Sequence, residues 1–198
     1  MRKILSKWYI YLLTVAIIVT GFCLTVSFKT APKKIERFDL FVGACDIKVN
    51  ELEKELNKKK PQEVKVAQVR FHYVTSSDFT YIFANFRADV DCFILPYKYV
   101  IDNEADSVKY AANLNVDYMN SELKKELIYY QYDNQYKGIK IFDSVSNEGA
   151  LSSYIDYSVD NYKSDYYLFF SYKSNNLGKN NDGKTDRAIK MVKELFLL

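Results

Sequence analysis

Two kinds of hydrophobic pattern run along the chain. Between Trp8 and Phe28 no residue is charged, and apolar side chains fall on every side of a helix rather than along one stripe. At ~1.5 Å per residue this run matches the ~30 Å hydrocarbon layer of a bilayer, so the pattern predicts one transmembrane helix. Beyond residue 36 the apolar positions come in short blocks. "RFDLFVG", residues 37–43, is a compact apolar run ended by glycine and predicts a buried strand. Asp46 can then cap a helix on which Val49, Leu52 and Leu56 share a stripe, with Lys58 to Lys60 at its C-terminal end and Pro61 as its stop. "EVKVAQVRFHYV", residues 63–74, alternates. Ala67, Val69, Phe71 and Tyr73 fall on one face and Gln68, Arg70 and His72 on the other, a half-polar pattern suited to a sheet edge. Ser76, Ser77 and Asp78 open a helix that carries Phe79, Ile82, Phe83 and Phe86 on one side. "DVDCFILP", residues 89–96, predicts a further buried strand stopped by Pro96.

This β-α-β-α-β order calls for parallel strands with right-handed crossovers, in the spatial order 2-1-3. The signal weakens over 103–127, where two short helices fit. "LIYYQYDNQYKGIKIFD" reads as a hairpin turning near Asp133–Asn134, and residues 144–165 are polar, mostly loop. "DYYLFFSY" is a strand, and "TDRAIKMVKELFLL" a closing helix with Ala188, Ile189, Val192, Leu195 and Phe196 inward. The predicted fold class is α/β: a mainly parallel sheet of about five strands with helices on both faces, preceded by one N-terminal transmembrane helix.

The apolar run also sets the expected organisation. "VSFKTAPKK" is a poor signal-peptidase site, and Phe22 before Cys23 is wrong for a lipoprotein, so the run reads as an uncleaved signal-anchor. Residues 1–34 form anchor and tether, and residues 35–198 an exported domain. The expected location is the cell membrane, single-pass through residues 8–28, with the C-terminal domain extracytoplasmic. Six of the 28 basic residues lie in 1–34, so the remainder holds 22 against 25 acidic residues despite a chain total of +3. A mildly acidic domain gives no electrostatic case for nucleic acid.

Candidate chemistry is sparse. "GKNNDGKT", residues 178–185, fits the phosphate-loop pattern through Gly178, Gly183, Lys184 and Thr185. It stands five residues beyond the strand end near Tyr172, and no later strand supplies an acid for magnesium, so an Asn/Gly turn before the last helix is preferred. His72, the only histidine, falls within a strand beside Arg70 and Gln68. Asp89 and Asp91 flank a strand at its N-terminal end and read as solvated. Cys45 and Cys92 belong at different heights on neighbouring strands, too far apart for a disulfide. Nothing has metal-ligand spacing, and no cofactor is expected. The 16 tyrosines beyond the anchor are set down mostly to compositional bias shared with Lys, Asn and Ile.

In open α/β sheets ligands meet the C-terminal ends of the strands. Here that edge carries Asp46 after the first strand, Thr75, Ser76 and Asp78 after the second, and Tyr97 after the third: carboxylates, hydroxyls and one aromatic face, suited to a polar, sugar-like ligand. The rival reading makes Asp46, Ser76 and Asp78 helix caps and Tyr97 a cover for the sheet edge.

The succession "FDLFVGACD", "VKVAQVRFHYV", "ADVDCFILPYKYV", "YDNQYKGIKI" and "DYYLFFSYKS" resembles bacterial extracellular solute-binding proteins of ABC importers, over roughly 37–103 and 130–198. The chain looks like a small, single-lobed, membrane-anchored relative. The hairpin's turn glycine is replaced around Asp133–Asn134, and the proline of the family's "G-I-P" is Lys140. The resemblance implies a non-enzymatic domain that binds a sugar or peptide solute, with an ABC transporter permease as partner. The alternatives are an interaction module that kept the fold without a ligand, and a phosphate-loop nucleotide binder.

Overall fold

A computed structural model describes residues 2–30, 32–177 and 186–198, apart from the side chains of residues 2–7, 25–30, 35, 105 and 106. The chain forms two compact units, Met1–Lys33 and Lys34–Leu198.

The first unit is helix α1, Arg2–Thr30. The Thr14 and Thr20 hydroxyls donate back to the carbonyls of Ile10 and Ala16. Among the described residues no helix is long and apolar enough to cross a membrane. This corrects the expected span over residues 8–28, and with it the anchor and the single-pass, extracytoplasmic placement.

The second unit begins with a 3-10 turn, Lys34–Glu36, followed by β1 (Arg37–Ala44), β2 (Asp46–Ile47), α2 (Val49–Lys59), β3 (Val66–Tyr73), α3 (Phe79–Phe86), β4 (Cys92–Pro96), α4 (Tyr97–Asp102), α5 (Glu104–Val108) and α6 (Val116–Leu123). Then come β5 (Tyr129–Tyr132), β6 (Gln135–Asp143), β7 (Glu148–Gly149), β8 (Ile155–Asp156), β9 (Ser158–Val159), β10 (Tyr162–Lys163), β11 (Tyr166–Phe170) and α7 (Arg187–Leu195). The main sheet has seven strands in the order β3-β1-β4-β11-β6-β5, with β7 on β6.

Only β1–β3 and β1–β4 are parallel; β11 runs antiparallel to both β4 and β6, as β5 and β7 do to β6. The expectation of a mainly parallel sheet of about five strands is therefore wrong, and the sheet is mixed. The reason lies in what a buried strand encodes. "YYLFF" in β11 is buried at every position, which shows that both faces are covered but says nothing of direction.

Helices cover both faces. Phe38, Leu40 and Val42 of β1 face a core with Leu52 and Leu56 of α2, Met119 of α6, and Ile189, Val192 and Leu195 of α7. Phe41 of β1 and Phe93 of β4 face a second core with Phe79 and Phe83 of α3, Val100 and Val108. The β5–β6 hairpin turns on Asp133 and Asn134, both left-handed at φ 50° and 58°, the geometry of a tight two-residue turn.

β3 is an edge strand, and α2 covers part of its outer rim. Ala67 N–H donates to Asn57 Oδ1 at 3.0 Å, Asn57 Nδ2 donates to Ala67 O at 2.7 Å, and Val69 N–H donates to Glu53 Oε2 at 3.0 Å.

Candidate functional site

The carboxyl ends of β3 and β4 border a cavity of about 190 Å³. Three separate stretches of chain build it. Val74 and Thr75 follow β3. Pro96, Lys98, Tyr99 and Asp102 come from the end of β4 and from α4. Val159 and Asp160 form the tip of the β9–β10 hairpin. The carboxyl ends of parallel strands are where open α/β sheets take ligands, and here α3 after β3 and α4 after β4 both pack on the Phe41–Phe93 face.

Each wall has a local cause. Pro96 ends β4 and precedes α4, so the chain turns from strand to helix within one residue and sets Lys98 and Asp102 one helical turn apart. Asp160 and Asn161 are both left-handed, at φ 51° and 68°, which folds the hairpin tightly enough to bring Asp160 over α4. There Lys98 Nζ lies 2.6 Å from Asp160 Oδ2. That bond, with the charges of Asp160 and then Asp102, holds the Lys98 ammonium above its ordinary range. The Tyr99 ring stands edge-on to Phe79 at 4.7 Å, and its hydroxyl donates to Thr80 Oγ1 at 3.3 Å. Behind the tip, Cys45 receives a hydrogen bond from the Asp160 backbone. Burial and the Asp156 charge still push its thiol up, which disfavours thiolate chemistry. Cys23, Cys45 and Cys92 are all unpaired.

Of the residues expected to meet a ligand, Thr75 lines this cavity. Ser76 and Asp78 lie beside it but engage each other. The Ser76 hydroxyl donates to Asp78 Oδ1, and His72 Nε2 is 3.0 Å from the same oxygen. These bonds, Ser76 first and His72 second, hold the Asp78 carboxyl below its usual range. The Asp78 carboxylate thus stands between the serine hydroxyl and the His72 ring. Neither Asp46 nor Asp78 makes the helix-capping bond that its position suggests. Asp46 sits in β2, paired across to Asp156 of β8, and lines a different hollow with Lys48, Asp156 and Lys163. Tyr97 turns away, its ring 6.3 Å from Tyr130 and 5.8 Å from Tyr167. Its N–H donates to Asp165 O at 2.7 Å.

Sequence reasoning missed Lys98, Tyr99, Asp102 and Asp160. The first three were within reach, since a helix starting directly after Pro96 must present positions 98 and 102 together. Asp160 was not, because it falls in a polar segment without periodicity.

A second polar centre lies at the opposite, N-terminal end of β1 and β4, and corrects the solvated reading of Asp91. Asp91 is 5% exposed. Its Oδ2 accepts the Asp39 N–H at 2.9 Å, while Oδ1 accepts from the Ser174 hydroxyl and from Asn176 Nδ2 at 3.1 Å. Burial raises the Asp91 pKa against these three donors. Asp39, 1% exposed, meets Arg37 Nε at 2.8 Å and Arg70 Nη2 at 3.9 Å. Asn176 Nδ2 also donates to the Arg37 carbonyl at 2.8 Å. This knot ties the segment after β11 to the sheet.

The phosphate-loop pattern at 178–185, with Gly178, Gly183, Lys184 and Thr185, lies outside the described residues. Among the described residues no group of His, Cys, Asp and Glu is placed to hold a metal ion. No family model, curated protein or solved structure matches the chain.

Proposed function

We propose that the unit formed by residues 34–198 is a non-enzymatic solute-binding domain that takes a small polar ligand at the carboxyl ends of β3 and β4. The observation that carries this reading is the cavity itself. Three segments distant in sequence converge there with one hydroxyl, one phenol, one ammonium and two carboxylates. Its volume of about 190 Å³ lies below the ~300 Å³ lower bound of sites for drug-sized molecules, which favours a small solute. An importer permease as partner belongs to the same reading and rests on the resemblance in segment order.

Thermal unfolding of the full chain against sugars, short peptides and other small polar solutes tests the reading. A ligand at 100 times its dissociation constant adds ~2.7 kcal/mol of stability. Thr75→Val and Lys98→Ala should each reduce the response while leaving the unliganded melting temperature nearly unchanged. A response that survives both substitutions would place the ligand elsewhere and end this reading.

A further inference from the structure

We infer that the cavity selects a small ligand bearing a primary ammonium group, a deepening that rests on the solute-binding reading above. The lining holds one cationic side chain, Lys98, and two carboxylates, Asp102 and Asp160. Lys98 is already committed, bonded to Asp160 at 2.6 Å. Asp102, one helical turn along α4, has no ion-pair partner among the described residues. The cavity is thus short of one positive charge.

Each ligand class meets a different wall. An anion would compete with Asp160 for Lys98 and face Asp102 as a like charge. A neutral polyol could bond to Thr75 and Tyr99 but would leave the charge of Asp102 unbalanced. An ammonium group has three N–H donors and no acceptor. Three oxygen-bearing residues on separate elements line the cavity: Thr75 after β3, Asp102 at the end of α4 and Asp160 at the hairpin tip. Only Oδ2 of Asp160 is taken by Lys98. Asp160 and Lys98 are 59% and 60% exposed. The attraction is therefore partly screened, and binding should weaken as salt is added.

Amide-resolved NMR titrations of the full chain separate the possibilities, with n-butylammonium, glucose and acetate compared at one ionic strength. The expected result is that n-butylammonium shifts the resonances of Thr75, Lys98, Asp102 and Asp160. Asp102→Asn, an exposed change at a helix end, should weaken that response about tenfold, equivalent to ~1.4 kcal/mol. Shifts at these residues with glucose or acetate but not with n-butylammonium would leave the binding site standing and overturn the ammonium preference. An n-butylammonium response spread over unrelated surface acids, or undiminished in Asp102→Asn, would also overturn it. If none of the three probes moves these residues, the ammonium preference falls together with the site.

Discussion

The side-chain amide of Asn57 closes a two-bond ring with the backbone of Ala67, taking its N–H at 3.0 Å and giving to its carbonyl at 2.7 Å. A neighbouring strand would offer the same donor and acceptor. With Glu53 on the Val69 N–H, α2 stands in for the strand that β3 lacks and shields a rim otherwise open to pairing with other chains.

Asn57→Ala should cost about 1–3 kcal/mol in urea unfolding, because two polar groups at the rim lose their partners. It should also raise self-association at high concentration, visible by sedimentation. Asn57→Ala that is both as stable and as monomeric as wild type would show the rim needs no cover.

Asp91 sets a pH dependence of defined sign. Burial raises its pKa in the folded state, so the folded chain binds the proton more tightly than the unfolded chain. Its contribution to stability is greatest below the unfolded value of about 3.9 and is lost as pH rises through the folded value. The stability difference between wild type and Asp91→Asn should therefore fall from about pH 3.9 towards neutrality. A difference that grows with pH would mean the carboxylate is stabilised, not penalised, by its surroundings.

Gly43 is where β1 passes beneath α3. An added Cβ would lie 2.5 Å from Phe79 Cζ and 3.1 Å from Leu95 Cδ2. Gly43→Ala should cost about 1–3 kcal/mol through overpacking. Phe79→Leu in the same chain should return part of that loss, a coupling measurable in a double-mutant cycle. Strictly additive effects would rule out the ring as the obstacle.

Tyr97 belongs to packing. It is 41% exposed and leans on Tyr130 and Tyr167. Tyr97→Ala should lower stability by about 0.5–1.5 kcal/mol or somewhat more while leaving any response at the Thr75–Asp102 cavity intact. A lost ligand response at an unchanged melting temperature would return Tyr97 to the site.

What the sequence disclosed follows from range. β1 and β4 were legible because a short apolar run closed by Gly43 or Pro96 fits a strand buried on both faces, and β3 because its polar residues alternate. The β5–β6 turn was legible from Asp133–Asn134. The direction of β11 was not, since the partners that decide it, Ile94 and Ile139 opposite Leu168, lie far away in the chain. Asp46 read as a cap because a two-residue strand paired with Ile155–Asp156 leaves no local trace. Of the site, Thr75 was legible from the end of its strand. The placement of Lys98 with Asp102 on α4 was within reach from Pro96, whereas Asp160, which meets Lys98 from the 158–163 hairpin, was not.

The knot around Asp91 also bears on the order of events in folding. Its partners Ser174 and Asn176 lie 83 and 85 residues away, and Asn176 reaches the Arg37 carbonyl across 139. Contacts that span so much chain form after the local ones, because the loop they close carries the larger entropic cost. The knot therefore works as a late fastener. Loosening it should speed the unfolding of 34–198 far more than it slows folding, so that Asp91 governs how long the folded unit lasts and has little influence on how fast it forms.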